Sequence, residues 1–436
     1  MRRLAADMAA WRAGTLRWAE VPRSVIFHGP PGTGKTLLAQ AFAAEAHLPL
    51  IATSFADCQK AGHMGDMLGA LEAAVAEAEA LAPSVFFLDE LDGFGSRDSS
   101  DVGRNRTYMR AIITGLLRQL DRLAATEGVV VIGATNDLAA IDPAIRRAGR
   151  FDATVAVPPP GRTGLATILS RQLRAAPGDT ALAAAIATSA ERLIGTSGAE
   201  AAALARAALT RARAASRALT PADLIAELDA RHPAVAAEAL RRIALHEAGH
   251  VVVGLLSGLP APLSLRLGTG NGETSWPAPP FHTFATARAQ LRTLLAGRAA
   301  EMVCLGAASS GSGEGPMSDL AQATALAVRL ETEWGMGDGG LIWHPAAPLP
   351  ATQTAWLRRK LVHLLNVADR EARALIATHR VEVEALADAL ITAREMVGAD
   401  LAQALEPLRC KIAARRDLHG SNNDGAEGNV IPFGAR

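Results

Sequence analysis

The glycine-rich run Gly29-Pro-Pro-Gly-Thr-Gly-Lys-Thr36 constrains the fold more than any other feature of this chain. An apolar β-type segment at 24–27 precedes it, and a helical segment at 37–46 follows it. In that setting the glycines let backbone N–H groups turn inward around a phosphate, and the helix N-terminus adds its positive dipole. The pattern predicts a phosphate-binding loop between a strand and a helix. Lys35 would reach the β- and γ-phosphates, and the hydroxyl of Thr36 would bind Mg²⁺.

More apolar runs of the same kind follow, separated by helical segments. Near-continuous apolar strands that alternate with helices predict a parallel sheet covered on both faces. The fold class predicted for the first part of the chain is therefore an α/β nucleotide-binding domain. Its remaining strands are expected at 48–52, 85–88, 129–132 and 153–157.

The composition then changes along the chain in a way that predicts further parts. Residues 161–230 are rich in Ala and Leu and read as a small helical domain, with Thr220 as N-cap and Pro221 in the first turn of its last helix. A second body is mostly helical, and its segment 263–267 alternates like an edge strand. The expected parts are 1–160, 161–230, 231–416 and a disordered tail at 417–436, which is rich in Gly, Asn and Ser.

Two acids at the end of the run 85–88 fit the nucleotide site. An Asp at the carboxyl edge of a strand can hold Mg²⁺ or its waters, and a Glu beside it can polarise the attacking water. These roles are predicted for Asp89 and Glu90. Asn136 follows the run 129–132 and is expected to orient the same water near the γ-phosphate.

A second chemical motif, His246-Glu-Ala-Gly-His250, lies past the middle of the chain. Its surroundings read as helix, and histidines four apart on a helix project from one face about a turn apart. Two imidazoles in this arrangement are typical zinc ligands, with Glu247 placed as general base for the attacking water. A zinc hydrolase also needs a third protein ligand and an open fourth position. The spacing alone does not identify that third ligand.

The bulk composition limits the classes of partner. Lys and Arg total 44 of the 436 residues and Asp and Glu total 44, so no surplus of cationic side chains favours nucleic acid. The 3 cysteines lie far apart and fit neither a disulfide framework nor a ligand pair. No stretch reads as a signal peptide or a membrane span. These features predict a reduced, soluble, cytoplasmic protein with no membrane span.

The run Ile141-Asp-Pro-Ala-Ile-Arg-Arg-Ala-Gly-Arg-Phe-Asp152, together with the two preceding motifs, resembles the AAA+ ATPases. This resemblance implies that Arg147 and Arg150 act as arginine fingers on the ATP of a neighbouring subunit. One subunit would then not complete its own site, and the resemblance implies a homo-oligomeric ring, a hexamer. Gly195-Thr-Ser-Gly-Ala-Glu200 resembles the string that opens a lid helix in this family, with Glu in place of Asp.

The FtsH-type AAA proteases carry the resemblance further. His246 to His250, the downstream Gly297-Arg-Ala-Ala-Glu301 and Ser318-Asp-Leu-Ala-Gln-Ala-Thr324 are similar to that family in order and separation. The resemblance implies that Asp319 is the third zinc ligand. For Glu301, a role in orienting the site and an ordinary helix salt bridge both stay open. A bound zinc would acidify a water and polarise the scissile carbonyl, while Glu247 takes and returns the proton.

The predicted site residues are therefore of three kinds. The residues predicted to act in catalysis are Glu247, Glu90, Asn136, Arg147 and Arg150. The predicted metal ligands are His246, His250 and Asp319. The residues predicted to hold ATP and Mg²⁺ are Gly29, Pro30, Pro31, Gly32, Thr33, Gly34, Lys35, Thr36 and Asp89. The implied cofactors are Zn²⁺, ATP and Mg²⁺.

The chain departs from FtsH-type proteins at several points. It starts almost at the ATPase domain, without the usual transmembrane helices, so a soluble relative and a chain whose start is missing both stay open. The family's aromatic channel residue has no counterpart in Gln59-Lys60-Ala61-Gly62. Peptide and protein substrates are expected, and the need for an adaptor or a membrane-associated partner stays open. The leading interpretation is an ATP-dependent zinc endopeptidase. The alternatives are an ATP-driven unfoldase with a non-proteolytic C-terminal domain, and a protease that no longer depends on ATP.

Overall fold

A computed structural model describes residues 1–95, 104–147, 149–268, 270–279, 281–337, 340–341, 343 and 351–420. The chain divides into two compact units. The first contains Met1–Pro160, Arg171–Leu173 and Thr196–Ala207, and the second contains Gly161–Ser170, Arg174–Gly195 and Ala208–Arg436. The predicted tail from 417 begins inside the last described helix, which runs to Gly420, and residues 421–436 lie outside the described residues.

The described helices and strands follow one another in this order. The helices are α1 Arg2–Arg12, α2 Lys35–Glu45, α3 Phe55–Lys60, α4 Met64–Ala80, α5 Arg104–Ala125, α6 Arg162–Leu173, α7 Thr180–Arg192, α8 Gly198–Ala214, α9 Pro221–Arg231, α10 Ala237–Leu256, α11 Phe284–Leu305, α12 Asp319–Thr332, α13 Ala351–Thr378, α14 Arg380–Ala393 and α15 Gly398–Gly420. The strands are β1 Ser24–His28, β2 Leu50–Ser54, β3 Ser84–Asp89, β4 Val129–Thr135, β5 Ala153–Ala156, β6 Ser264–Leu267, β7 Gly272–Ser275 and β8 Glu395–Val397.

The first unit is built on a parallel five-stranded sheet in the order β2-β3-β4-β1-β5. Successive side chains on a strand face opposite sides of the sheet, so each apolar run supplies two cores. Ile26 and Phe86 pack on one side with α4 and α5, while Phe27 and Phe87 pack on the other with α1 and α2. The predicted parallel sheet with both faces covered is confirmed. Its carboxyl edge gathers the loops that follow β1, β3 and β4.

The second unit contains a small antiparallel sheet in the order β7-β6-β8. The expectation of an edge strand at 263–267 was wrong, because β6 lies in the middle of this sheet. Its second partner, β8, comes from far along the chain, so local alternation did not reveal the pairing. Leu265 and Leu267 of β6 are fully buried in one core with α10, α11, α14 and α15. The mainly helical character predicted for this part is confirmed.

The start of α9 follows the sequence prediction. The helix begins at Pro221 after Thr220, whose backbone N–H donates to Asp223 at 2.9 Å. Proline suits this position because an N–H there would find no acceptor inside the helix, so the N–H that proline lacks is no loss.

Across the residues the structure covers, no helix is both long and apolar enough to pass through a bilayer.

Candidate functional site

The phosphate-binding loop lies between β1 and α2, as the sequence predicted. Gly32 and Gly34 have φ of +75° and +97°, a left-handed backbone that favours glycine. The ammonium of Lys35 donates to the carbonyls of Gly29 and Pro30 at 2.8 and 2.9 Å and to Asn136 Oδ1 at 2.8 Å. Burial lowers the pKa of Lys35. The loop therefore places its lysine against backbone acceptors and the predicted water-orienting amide.

The other predicted groups of the nucleotide site lie at the same sheet edge. Thr36 Oγ1 donates to Asp89 Oδ2 at 2.9 Å, so the two residues predicted to hold Mg²⁺ are neighbours. Glu90 has φ of +56°, and its carboxylate accepts the N–H of Ala56 at 3.2 Å in the first turn of α3. The structure thus brings Lys35, Thr36, Asp89 and Asn136 together. It turns Glu90 towards α3.

The lid string places helix α8 beside the phosphate-binding loop. Ala199 N–H donates to the carbonyl of Gly32 at 3.2 Å. Glu200 accepts the N–H of Ser197 at 2.7 Å, and Ser197 Oγ accepts the N–H of Glu200 at 3.2 Å. This is a reciprocal capping box, in which Glu is a preferred residue. Glu in place of Asp therefore still supports the helix start.

The two predicted arginine fingers have different surroundings. Arg150 forms two hydrogen bonds to Asp121 on α5, at 2.7 and 2.9 Å, and a third to the carbonyl of Ala144 at 2.9 Å. The ion pair lowers the pKa of Asp121. Arg147 is exposed, and within the described residues its side chain has no ion pair or hydrogen bond. Sequence reasoning missed Asp121. The only signal for it was its place as an isolated acidic residue on α5, the helix before β4.

The predicted metal ligands converge. His246 Nε2 lies 2.9 Å and His250 Nε2 lies 3.3 Å from Asp319 Oδ2. The three ligand atoms all lie within 4.8 Å of one another. Asp319 stands at the first position of α12 because Ser318 caps that helix, with its hydroxyl accepting the N–H of Ala321 at 3.3 Å. A carboxylate there is also favoured by the helix dipole.

The outer nitrogens of both histidines have partners that orient the rings. His250 Nδ1 lies 2.6 Å from the carbonyl of Thr293, and His246 Nδ1 lies 2.8 Å from Glu301 Oε1. A backbone carbonyl only accepts, so His250 carries its proton on Nδ1 and leaves Nε2 as the ligand atom. A Cβ at Gly297 would lie 2.3 Å from His246 Nε2, so the glycine leaves room for this ring. Two imidazoles and a carboxylate oriented in this way suit zinc.

Glu301 both orients the site and forms a salt bridge, so the two roles left open by the sequence coexist. It accepts from Arg242 at 2.9 Å and from the N–H of Ser309 at 2.7 Å, and only 1% of it is exposed. Burial would raise its pKa, but the bonds from His246, Arg242 and Ser309 lower the pKa to about 2. Arg242 was missed by sequence reasoning, although its position one turn before His246 on α10 was a signal.

The contacts between the histidines and the carboxylates also shift pKa values at this site. Burial would lower the pKa of His246, but its hydrogen bonds to Asp319 and Glu301 raise the pKa to about 10. For Asp319, burial is outweighed by His246 and His250, which hold its pKa well below the usual range. Asp319 and Glu301 therefore keep their negative charge at neutral pH.

Glu247, His250 and Asp319 all line one cavity of about 510 Å³. Only 6% of Glu247 is exposed. The lining also includes β7 and the residues after it, among them Trp276. The predicted base and two predicted ligands thus share one cleft large enough for a peptide segment.

Two regions of the chain match models of known protein families. The family model for the ATPase family associated with various cellular activities (AAA) matches residues 25–159, and that for peptidase family M41 matches residues 234–404. ATP-dependent zinc metalloprotease FtsH 1 of Symbiobacterium thermophilum is 34% identical over 428 residues, covering 94% of this chain and 70% of that protein. FtsH 3 of Sphaerobacter thermophilus is 34% identical over 408 residues, covering 89% and 81%. FtsH of Acidothermus cellulolyticus is 33% identical over 420 residues, covering 87% and 61%.

Proposed function

Because this chain belongs to the FtsH family of AAA ATPases with an M41 peptidase domain, we propose that it hydrolyses polypeptides at a zinc site in a reaction driven by ATP. It is an ATP-dependent zinc metalloprotease, and its substrates are proteins. One observation carries this assignment: His246, His250 and Asp319 point their ligand atoms at one place, beside Glu247 and an open cleft.

Each residue of the metal centre then has a task. A bound zinc ion supplies Lewis acidity for the scissile carbonyl and lowers the pKa of the attacking water. His246, His250 and Asp319 hold the ion, while Glu301 and the carbonyl of Thr293 orient the two rings. Glu247 takes the proton of the water and returns it to the leaving amine. The cleft beside β7 receives the peptide.

The nucleotide site supplies the driving reaction. Lys35 and the loop N–H groups bind the phosphates, and Thr36 and Asp89 hold Mg²⁺. Asn136 and Glu90 act on the attacking water, for which Glu90 has to leave the N–H of Ala56. We propose the domain division 1–160, 161–230 and 231–416 for these tasks.

We further propose a homo-oligomeric ring, a hexamer, in which Arg147 reaches the ATP of the next subunit. The exposed side chain of Arg147 supports this role. The three hydrogen bonds of Arg150 support a different one, in which Arg150 ties the finger segment to α5 through Asp121. An adaptor or a membrane-associated partner that delivers substrates would be compatible with this ring.

The zinc assignment predicts that Asp319→Asn lowers zinc affinity by at least about 100-fold. Loss of a residue that only orients a zinc ligand already costs up to about 100-fold, and Asp319 is proposed to bind the ion directly. The asparagine side chain is neutral, so both imidazoles lose the negative charge that they contact in the wild-type protein. The measurement is zinc per chain after dialysis, together with ATP-dependent casein degradation by the same sample. Asp388→Asn, an exposed carboxylate paired with Arg241, is the control and should keep both. A folded wild-type protein that retains no zinc would contradict the proposal.

ATP dependence is tested at Lys35. Lys35→Ala is expected to lower ATP hydrolysis by roughly 100-fold, since a preorganised cation aimed at the transferring phosphoryl group is removed. Casein degradation should fall with it, while zinc content stays unchanged. Lys411→Ala removes an exposed lysine of the second unit and should change neither rate. Unchanged casein degradation in Lys35→Ala would instead favour a protease that no longer depends on ATP.

A further inference from the structure

The proposed base is held by a hydroxyl group that no sequence motif identified. Thr274 Oγ1 lies 2.6 Å from Glu247 Oε2. An ionised carboxylate only accepts, so the threonine donates this bond, and a charge-assisted O–H···O⁻ bond of this length is a strong one. Within the described residues no hydrogen bond reaches Oε1. One oxygen of Glu247 is therefore anchored, and the other is left for the attacking water.

Strand β7 shapes the place where this carboxylate lies. Gly272 and Thr274 are two residues apart, so they face the same side of the strand. A Cβ at Gly272 would lie 2.4 Å from Glu247 Cγ and 2.5 Å from Oε1. The missing side chain of Gly272 thus leaves the space that Glu247 occupies, and the hydroxyl of Thr274 borders the same space.

The position of Thr274 is itself fixed by buried structure. In the antiparallel pairing of β7 with β6, Thr274 lies opposite Leu265, and Gly272 lies opposite Leu267. Both leucines are fully buried. The β-branched side chain of threonine also has few χ1 options on a strand. The hydroxyl is therefore presented to Glu247 by a rigid element and not by a loop.

We propose that Thr274 is a positioning residue for Glu247, an inference that rests on the proposed function. Glutamate has several rotatable bonds, and a free carboxylate would sample rotamers that point away from the metal. Anchoring Oε2 keeps Oε1 directed into the cleft before substrate arrives, so proton transfer needs no search among rotamers. The same strand lines the cleft, and therefore peptide binding and base orientation depend on one element.

The test replaces the hydroxyl without changing the shape of the side chain. Thr274→Val is expected to lower kcat for a short peptide by roughly 10- to 100-fold, as expected for loss of a hydrogen bond to a charged group, with KM changed less than about threefold. Thr274→Ser keeps the hydroxyl and should retain kcat within about threefold. Thr378→Val makes the same change at an exposed threonine of α13, outside the cleft lining, where the hydroxyl donates to the carbonyl of Ala374 at 2.9 Å, and it should have no effect.

Two further measurements separate positioning from a merely structural role. Zinc per chain and ATP hydrolysis should be unchanged in Thr274→Val, and a crystal structure of its metal-free form should show Glu247 displaced. Gly272→Ala should displace Glu247 by steric contact with its Cγ and Oε1, and lower kcat with zinc still bound. Wild-type kcat in Thr274→Val, or equal losses in the Val and Ser variants, would overturn the inference. Absence of zinc-dependent cleavage by the wild-type protein would instead overturn the proposed function.

Discussion

Glu247→Gln is expected to lower peptide hydrolysis by about 1,000-fold or more, within the usual range for loss of a general base. Glutamine keeps the size of the side chain and still accepts the bond from Thr274, but it cannot take a proton from water. Zinc content and ATP hydrolysis should stay close to wild type, because His246, His250 and Asp319 are untouched. Cleavage of a fluorogenic peptide, elemental analysis and phosphate release on one preparation measure the three effects.

Glu238→Gln is the matched control for this substitution. Glu238 lies in the first turn of the same helix α10 and undergoes the same chemical change, but it is exposed and does not line the cleft. It should retain full peptide hydrolysis. If the wild-type protein hydrolyses ATP but cleaves peptides no faster than Glu247→Gln, the alternative of an ATP-driven unfoldase with a non-proteolytic C-terminal domain is favoured.

The parts of the site that sequence predicted are those carried by short-range spacing. A helix places residues four apart on one face, so His246 and His250 were paired from the sequence alone. The phosphate-binding loop was predicted in the same way, because its glycines, Lys35 and Thr36 are contiguous. The sheet of the first unit followed from apolar runs that the parallel, doubly covered architecture requires.

The parts that sequence missed depend on pairings between distant segments. Asp319 was assigned by family resemblance, and spacing alone would not have chosen it among the acids of the chain. Thr274 reaches Glu247 only because β6 holds β7 in register. The central place of β6 depends in turn on β8, which no local pattern pairs with it. These contacts are set by tertiary packing, and a single sequence carries little record of them.

The same distinction applies to the two arginines of the finger segment. Their motif treats them alike, but only the fold shows that Arg150 is paired with Asp121. An arginine held by three hydrogen bonds must break them to reach another subunit, whereas Arg147 has no such bonds to break in the described part of the chain. Holding a segment still and stabilising charge across an interface are different tasks. We propose that the chain assigns them to different residues.

Arg147→Ala is therefore expected to lower ATP hydrolysis by roughly 1,000-fold. This is the lower end of the range by which an arginine supplied in trans raises kcat. Binding of ATP should persist, because Lys35 and the loop are intact. Arg146→Ala removes the neighbouring exposed arginine and should leave the rate unchanged. Arg150→Ala and Asp121→Asn should resemble each other, because each breaks the same ion pair, and each should lower the thermal stability of the ATPase domain, which Arg147→Ala should not.

A mixing experiment shows whether the arginine acts across a subunit boundary. Arg147→Ala subunits keep an intact nucleotide site, and Lys35→Ala subunits keep the arginine, so neither homo-oligomer should hydrolyse ATP at an appreciable rate. When the two are co-assembled, Arg147 of a Lys35→Ala subunit can complete the site of its Arg147→Ala neighbour. ATP hydrolysis should then recover to a substantial fraction of wild type. Mixed assemblies that stay as inactive as the separate variants would show that Arg147 serves its own subunit, and the argument for a ring would lose its main support.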